Sequence, residues 1–430
     1  MLKRIDLRLE DIDLISSAQS AVSLGNAEVE GTVSNIINDV KARGDEALRF
    51  YSEKFDGYVS ESFKVDEAEI DKAFDVCTKE LVEALETAAS RIKEFHETQL
   101  QANKSFIKDG IEVGTMHRPV TRAGCYVPGG RASYPSTVLM TVIPAVVAGV
   151  QNVIICSPIG EGNKIDPSVL VAARIAGASS IYAIGGAQAI AAMAYGSEEL
   201  EPVDVIVGPG NIYVATAQRM VSQDVGIAAA FAGPSEIVVI ADGTANPLFA
   251  AIDLIVQAEH GPDGQSWLIC SEGEILEAIL KEVEGLVLRS QRREEIMSTF
   301  EAGGFAVLVK DLPQAFDVAN QVAPEHLQLM VQNPESYLSL VQNAGAVFLG
   351  NMAPASVGDY FAGPSHVLPT DGSARFASAL TVTDFIKDIH VVSLGEDALK
   401  QAAKTIMAIA DVEGLEAHSE SIRLRIKEMK

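Results

Sequence analysis

The sequence predicts an α/β protein built from two doubly wound, Rossmann-like units with a helical C-terminal tail. Three patterns point there. Short β-branched runs alternate with apolar helical segments from 124 to 222, the same rhythm resumes after Gly233, and the strand segments are apolar throughout. Strands paired in parallel by crossover helices are covered on both faces and read this way.

In chain order, residues 1–21 read as an N-terminal helical arm. Acidic residues interrupt its apolar ones (MLKRIDLRLEDIDL), so it does not read as a signal peptide. Residues 26–103 repeat apolar side chains at three- and four-residue steps, with Gly57 as a helix stop, and 108–118 reads as a short hairpin. Strands are expected at 124–127, 152–156, 180–184 and 203–207, with helices at 136–148, 166–175, 187–194 and 211–222. Further strands are expected at 236–241, 266–270, 305–309 and 346–349, with helices at 247–260 and 275–284. Past Asp384 the chain reads as helical, with two amphipathic helices around Glu413-Gly414. The expected organisation is the arm (1–21), a first α/β domain in two parts (22–125 and 236–378), a second α/β domain inserted at 126–235, and the tail at 379–430. A tail too short for a core of its own packs on another surface, for which a second subunit is a candidate.

Composition narrows the function. The 430 residues include 33 basic and 59 acidic side chains, a formal net charge of -26. Such a surface repels phosphate backbones and anionic lipid heads, which argues against nucleic acid and membrane partners. Cys77, Cys125, Cys156 and Cys270 form no CxxC pair, so neither a disulfide framework nor a thiolate zinc site is expected, and a cytoplasmic location follows. Residues 132–160 lack Asp, Glu, Lys and Arg over a length that could span a bilayer. Pro135, Pro144, Pro158 and the Gly-Val-Gln-Asn run at 149–152 break it into a buried helix and a buried strand.

Two glycine turns follow expected strands, Gly185-Gly186-Ala187-Gln188 and Gly208-Pro209-Gly210-Asn211, and a third is Pro128-Gly129-Gly130-Arg131. Such turns either close a tight strand-to-helix connection or present helix N-termini to phosphate. Gln257 and His260 share one face at the end of an expected helix, where a carboxamide oxygen and an imidazole can join in holding one zinc ion, or simply end the helix in solvent. Glu325-His326 places a carboxylate beside an imidazole in an apolar setting before an expected strand, a pair able to divide acid and base work or to form a polar loop. The segment 358–370 is loop-like yet dotted with Asp359 and His366. Glu413 and His418 alone read as surface residues of the tail.

These motifs, together with Arg118-Pro119-Val120, Tyr126-Val127-Pro128-Gly129-Gly130, Tyr134-Pro135-Ser136-Thr137-Val138-Leu139-Met140, Ala232-Gly233-Pro234-Ser235-Glu236, Ala323-Pro324-Glu325-His326-Leu327 and His366-Val367-Leu368-Pro369-Thr370, occur in an order that closely resembles histidinol dehydrogenase over nearly the whole chain. The resemblance implies oxidation of L-histidinol to L-histidine, the last step of histidine biosynthesis, with two NAD and one zinc ion (Zn2+) per subunit. It implies a homodimer whose tail completes the partner's site. It also implies zinc ligands at Gln257, His260, Asp359 and His418, an acid–base pair at Glu325 and His326, and dinucleotide contacts at Tyr126, Gln188 and Asn211. Ser235, His366 and Glu413 fall at positions that hold substrate, joined there by the metal ligands and His326. The inserted domain would then bind dinucleotide. One departure stands out: the family's Asp shortly before Ala-Gly-Pro-Ser-Glu is absent, and the chain reads Ile227-Ala228-Ala229-Ala230-Phe231. Three other readings compete: an enzyme of this fold acting on another small polyol or amino alcohol, a zinc hydrolase without redox chemistry, and a non-catalytic binding or structural protein, which the many polar residues gathered in otherwise apolar loops disfavour. Retention of Glu413 and His366 favours histidinol over other polyols.

Overall fold

A computed structural model describes residues 2–8, 27–58, 62–129, 133–228, 235–259, 261 and 264–429. The chain divides into two compact units, one formed by 1–99 with 120–385 and a smaller one by 100–119 with 386–430.

The larger unit contains two parallel sheets. The first has, in spatial order, Lys3–Asp6, Gly304–Leu308, Gln265–Cys270, Glu236–Ala241, His326–Met330 and Ala346–Leu349. Its inner strands, from Gly304–Leu308 to His326–Met330, are mostly apolar on both faces because both are covered. Ile237, Val239, Leu268 and Ala306 pack with helices Pro247–Ala258, Gly273–Val287 and Arg293–Gly303. Val238, Ile240, Trp267 and Val307 pack with helix Leu312–Val322 on the other side. The expected helical arm is corrected here. Lys3–Asp6 is a strand paired in parallel with Gly304–Leu308 at the sheet edge, a long-range pairing that local sequence does not encode. Residues 9–26 lie outside the described set.

The second sheet has the order Ser180–Ala183, Asn152–Ser157, Arg122–Tyr126, Val205–Val207 and Gly226–Ile227. The uncharged stretch resolves into helix Pro135–Ala148, which carries Pro144 inside it, and strand Asn152–Ser157. Among the described residues no helix is long and apolar enough to cross a membrane. Helix Ala27–Arg43 packs its apolar stripe, Val29, Val33, Ile36, Ile37 and Val40, against the core of this second sheet with Ile190, Val214 and Ala217. The sequence grouped 22–125 with 236–378. Amphipathicity marks a helix's apolar face but not which sheet that face will cover.

The smaller unit pairs Ile111–Pro119 antiparallel with Lys104–Lys108 and with Ile386–Leu394. The hairpin expected at 108–118 turns at Asp109-Gly110, both at positive φ (51° and 75°), as a two-residue primed turn requires. The tail is therefore not helical throughout. It starts as a strand, because backbone partners in 111–119 are available only in the folded chain, and helices Glu396–Val412 and Glu416–Glu428 follow.

Candidate active site

In the second sheet the chain runs outward from Arg122–Tyr126 through Asn152–Ser157 and Ser180–Ala183. It then crosses to Val205–Val207 on the other side of Arg122–Tyr126. The carboxyl ends around that reversal form the crevice where open parallel sheets take ligands. Tyr126 closes the central strand, and its buried hydroxyl accepts the Gly186 N–H at 3.0 Å. Burial pushes this phenol up to about 12, so it stays neutral. Gly208 has φ +115°, and a Cβ there would stand 2.1 Å from the Tyr126 carbonyl oxygen, so the turn crosses the strand end at a distance only glycine permits. Gln188 lies buried in the first turn of helix Gly186–Tyr195, and its Oε1 has no hydrogen-bond partner. Asn211 caps helix Ile212–Val221, its Oδ1 accepting from Tyr213 and Val214 N–H at 3.0 and 3.1 Å. That carboxamide oxygen is spent on the cap, and its NH2 remains for a ligand. A cavity of 610 Å³ opens nearby, lined among others by Pro128, Gly129, Ser157, Pro158 and Asp166.

The second group of residues gathers at the amino ends of the first sheet. His326 is the first residue of its strand, opposite Ile237, rather than a loop residue ahead of it. Glu325 and His326 are both buried, at 8% and 3% exposure. The Glu236 N–H donates to Glu325 Oε2 at 3.0 Å, and His326 Nδ1 lies 3.1 Å from the Glu236 carbonyl oxygen and 3.4 Å from Glu325 Oε2. A carbonyl oxygen only accepts, so Nδ1 carries a hydrogen and Nε2 is the atom left to exchange a proton. Among the described residues that Nε2 makes no hydrogen bond, with Asp359 Oδ1 3.5 Å away. Burial by itself would lower His326, but the Glu325 and Asp359 carboxylates outweigh it and hold the imidazole up to about 10. The Phe348 ring stacks against the imidazole at 5.9 Å between centroids.

Asp359 sits in the short helix Ala355–Tyr360, inside the segment read as a loop. Its backbone carbonyl accepts from His366 Nδ1 at 3.0 Å, and His366 Nε2 lies 3.3 Å from Thr137 Oγ1. Burial lowers His366, most strongly of the influences on it, so its Nε2 accepts from the Thr137 hydroxyl. Gln257 is buried in the last turn of helix Pro247–Ala258. That helix returns to the amino edge of the sheet, which is why its end lies on the same edge as His326. Ser235 precedes the strand Glu236–Ala241, and its carbonyl accepts from the Gln265 N–H at 3.2 Å. A cavity of 550 Å³ is lined by Glu259 and Tyr360, the neighbours of these groups, with Tyr134, Pro135, Arg292 and Phe361.

Two expected ligand positions stand differently. His260 lies outside the described residues, as does most of the segment where the family's Asp is missing. Glu413 and His418 belong to the smaller unit, exposed after helix Glu396–Val412 and within helix Glu416–Glu428. Among the described residues no three His, Cys, Asp or Glu gather as a cation site.

The family model described as histidinol dehydrogenase matches residues 20–426. The chain belongs to the histidinol dehydrogenase family. It is 44% identical over 402 residues to the histidinol dehydrogenase of Methanocaldococcus jannaschii, covering 93% of each chain. To that of Bacillus subtilis it is 45% identical over 410 residues, covering 95% of this chain and 96% of the other. The crystal structure of histidinol dehydrogenase from Elizabethkingia anophelis superposes with a TM-score of 0.95 at 34% identity, covering 100% of this chain and 98% of that one. Membership in the histidinol dehydrogenase family makes the chain an oxidoreductase of histidine biosynthesis.

Sequence reasoning missed Glu236, Phe348 and Thr137, which touch the acid–base pair or His366 in the fold. In the sequence Glu236 is the last residue of the motif Ala232-Gly233-Pro234-Ser235-Glu236. The available signal was an acidic residue opening an otherwise apolar strand, where a charge has to be explained.

Proposed function

We propose that this chain is a cytoplasmic homodimeric enzyme that oxidises L-histidinol through L-histidinaldehyde to L-histidine. It would use two NAD and one zinc ion per subunit. The observation that carries the reading is the Glu325–His326–Asp359 cluster at 3.4 and 3.5 Å, its first two members buried and Asp359 half-buried, in a chain of this family. Two carboxylates beside one buried imidazole suit repeated proton transfer.

The donor set fits zinc, which takes nitrogen and oxygen ligands: a carboxamide from Gln257, a carboxylate from Asp359, and imidazoles from His260 and His418. His418 lies exposed in a helix of the tail, and, as the resemblance implies, a tail from a second copy is the proposed source of the fourth ligand. When bound, zinc would orient the substrate hydroxyl and imidazole, and NAD would accept the hydride of each oxidation. Asp359 is among the proposed zinc ligands, and its carboxylate, once engaged there, would no longer hold the imidazole protonated; His326 then takes the proton of the hydroxyl at Nε2 while Nδ1 stays bonded to the Glu236 carbonyl. Glu325, held by the Glu236 N–H, then takes a proton from the water that adds to the aldehyde, and the hydrate is the species oxidised second. Ser235, His366 and Glu413 would hold the amine and imidazole ends of the substrate. Tyr126, Gln188 and Asn211 would line the dinucleotide crevice.

The test is one stoichiometry. NADH is measured per histidinol consumed, with and without a chelator, beside a panel of small diols. Two NADH per histidinol, abolished by chelation and absent with the diols, is the expected result. One NADH per substrate, activity indifferent to chelation, or preference for a diol would each overturn the reading.

A further inference from the structure

The two residues assigned to proton transfer are both held by the backbone of one residue, Glu236, whose side chain the mechanism leaves without a part. The Glu236 N–H bonds Glu325 Oε2 at 3.0 Å and its carbonyl oxygen bonds His326 Nδ1 at 3.1 Å, so the peptides on either side of a single Cα fix both groups. We infer that Glu236 is a positioning residue, whose buried side chain anchors the start of its strand and thereby aims Glu325 and His326 together. The inference rests on the dehydrogenase reading for the chemistry of those two residues and extends it by one residue.

The anchoring is visible in the side chain. Glu236 is 2% exposed, and its Oε1 accepts from Gln265 Nε2 and from the Asp371 N–H, both at 3.2 Å. One carboxyl therefore ties together strand Glu236–Ala241, strand Gln265–Cys270 and the loop at Asp371, a non-glycine residue at φ +52°. Gln265 is fixed in turn, its Oε1 accepting from Trp267 Nε1 at 3.1 Å. Among the described residues, none hydrogen-bonds the buried Glu236 Oε2. Burial, with Glu325 and Asp371 as the facing negative groups, raises this carboxyl to about 8, so at neutral pH the proton sits on it and no second negative charge faces Glu325. A buried acid that costs this much to place is expected to have a task, and the reacting groups that the backbone of the same residue holds are Glu325 and His326.

Glu236→Gln keeps the shape, with an amide oxygen for Oε1 and an NH2 where the protonated Oε2 stands. Glu236→Ala removes the tie. Both are made in the full zinc-loaded chain and compared by metal content, circular dichroism, kcat, KM for NAD, and the ring 15N shifts of His326 assigned against His326→Asn. With Glu236→Ala we expect native dichroism and metal content, little change in the KM for NAD, a kcat loss of about 10²-fold from the displaced pair, and a moved or broadened His326 signal. Glu236→Gln is expected to restore most of the kcat and the native signal. Wild-type kcat and signal in Glu236→Ala would overturn the inference, as would failure of Glu236→Gln to recover either in a natively folded protein. Should Glu236→Ala not fold, Glu236→Asp, with its carboxyl drawn back by one methylene, replaces it, and a wild-type result there overturns the inference. If the wild-type chain makes no NADH from histidinol, the functional reading has failed, while the His326 signal still decides whether Glu236 positions it.

Discussion

Gly208→Ala tests the dinucleotide crevice without touching the acid–base pair. The added Cβ would stand 2.1 Å from the Tyr126 carbonyl oxygen and 3.0 Å from its carbonyl carbon, both backbone atoms that cannot rotate aside. Ordinary carbon–oxygen contact needs roughly 3.5 Å, so the turn has to lift by about 1 Å or more. The residue also sits at φ +115°, where a non-glycine residue costs on the order of 1–3 kcal/mol. The cheaper outcome is for the turn to change its path, which carries Asn211 and the N-terminus of helix Ile212–Val221 away from Tyr126. A displacement of that size in a binding element costs about 10²-fold where the element contacts ligand. The assay is initial NADH formation at varied NAD and saturating histidinol, with metal content measured on the same samples. kcat/KM for NAD should fall by about 10²-fold, KM for histidinol and metal content should stay near wild type, and thermal stability should drop only slightly. An unchanged kcat/KM for NAD would refute the assignment of this turn to the dinucleotide. A matching loss of metal would place the effect in the wrong half of the site.

Other outcomes follow from the same geometry. Glu325→Gln keeps the bond to the Glu236 N–H but cannot take a proton, so oxidation of supplied histidinaldehyde should slow by about 10²–10⁴-fold while metal content is kept; equal loss of both would reassign Glu325 to metal binding. If a second copy's tail supplies His418, inactive His260→Ala and His418→Ala proteins should regain part of the activity after subunit exchange. No regain with exchange verified by mixed labels would put the whole site in one chain. Glu236 adds a pH dependence to folding. Its carboxyl keeps its proton to about 8 when folded against 4.5 ordinarily, so unfolding releases a proton between those values. Stability from this group is full below pH ~4.5 and falls as pH rises toward ~8, by up to about 1.4 kcal/mol per unit. Denaturant titrations at several pH values in that window should give a flatter slope for Glu236→Gln than for wild type, and equal slopes would show that the group ionises freely.

Local pattern alone determined a good deal of this molecule. Short, β-branched, uninterrupted apolar runs such as Ile237-Val238-Val239-Ile240 read as strands covered on both faces, and their alternation with helices pointed to the parallel α/β class. The glycine turns after 184 and 207 were legible because a chain that reverses over a strand end needs residues without a Cβ. The motif order was also enough to point to the family. Tertiary structure decided what depends on partners distant in sequence. Lys3–Asp6 and Ile386–Leu394 become strands only when 304–308 and 111–119 supply their hydrogen bonds, and helix Ala27–Arg43 covers the second sheet because an apolar stripe does not name its partner. At the site, sequence marked Glu325, His326 and Asp359 but could not set them 3.4 and 3.5 Å apart. Nor could it show that the backbone of Glu236 holds two of them, since a peptide group's hydrogen bonds across 89 or 90 residues leave no trace in side-chain chemistry.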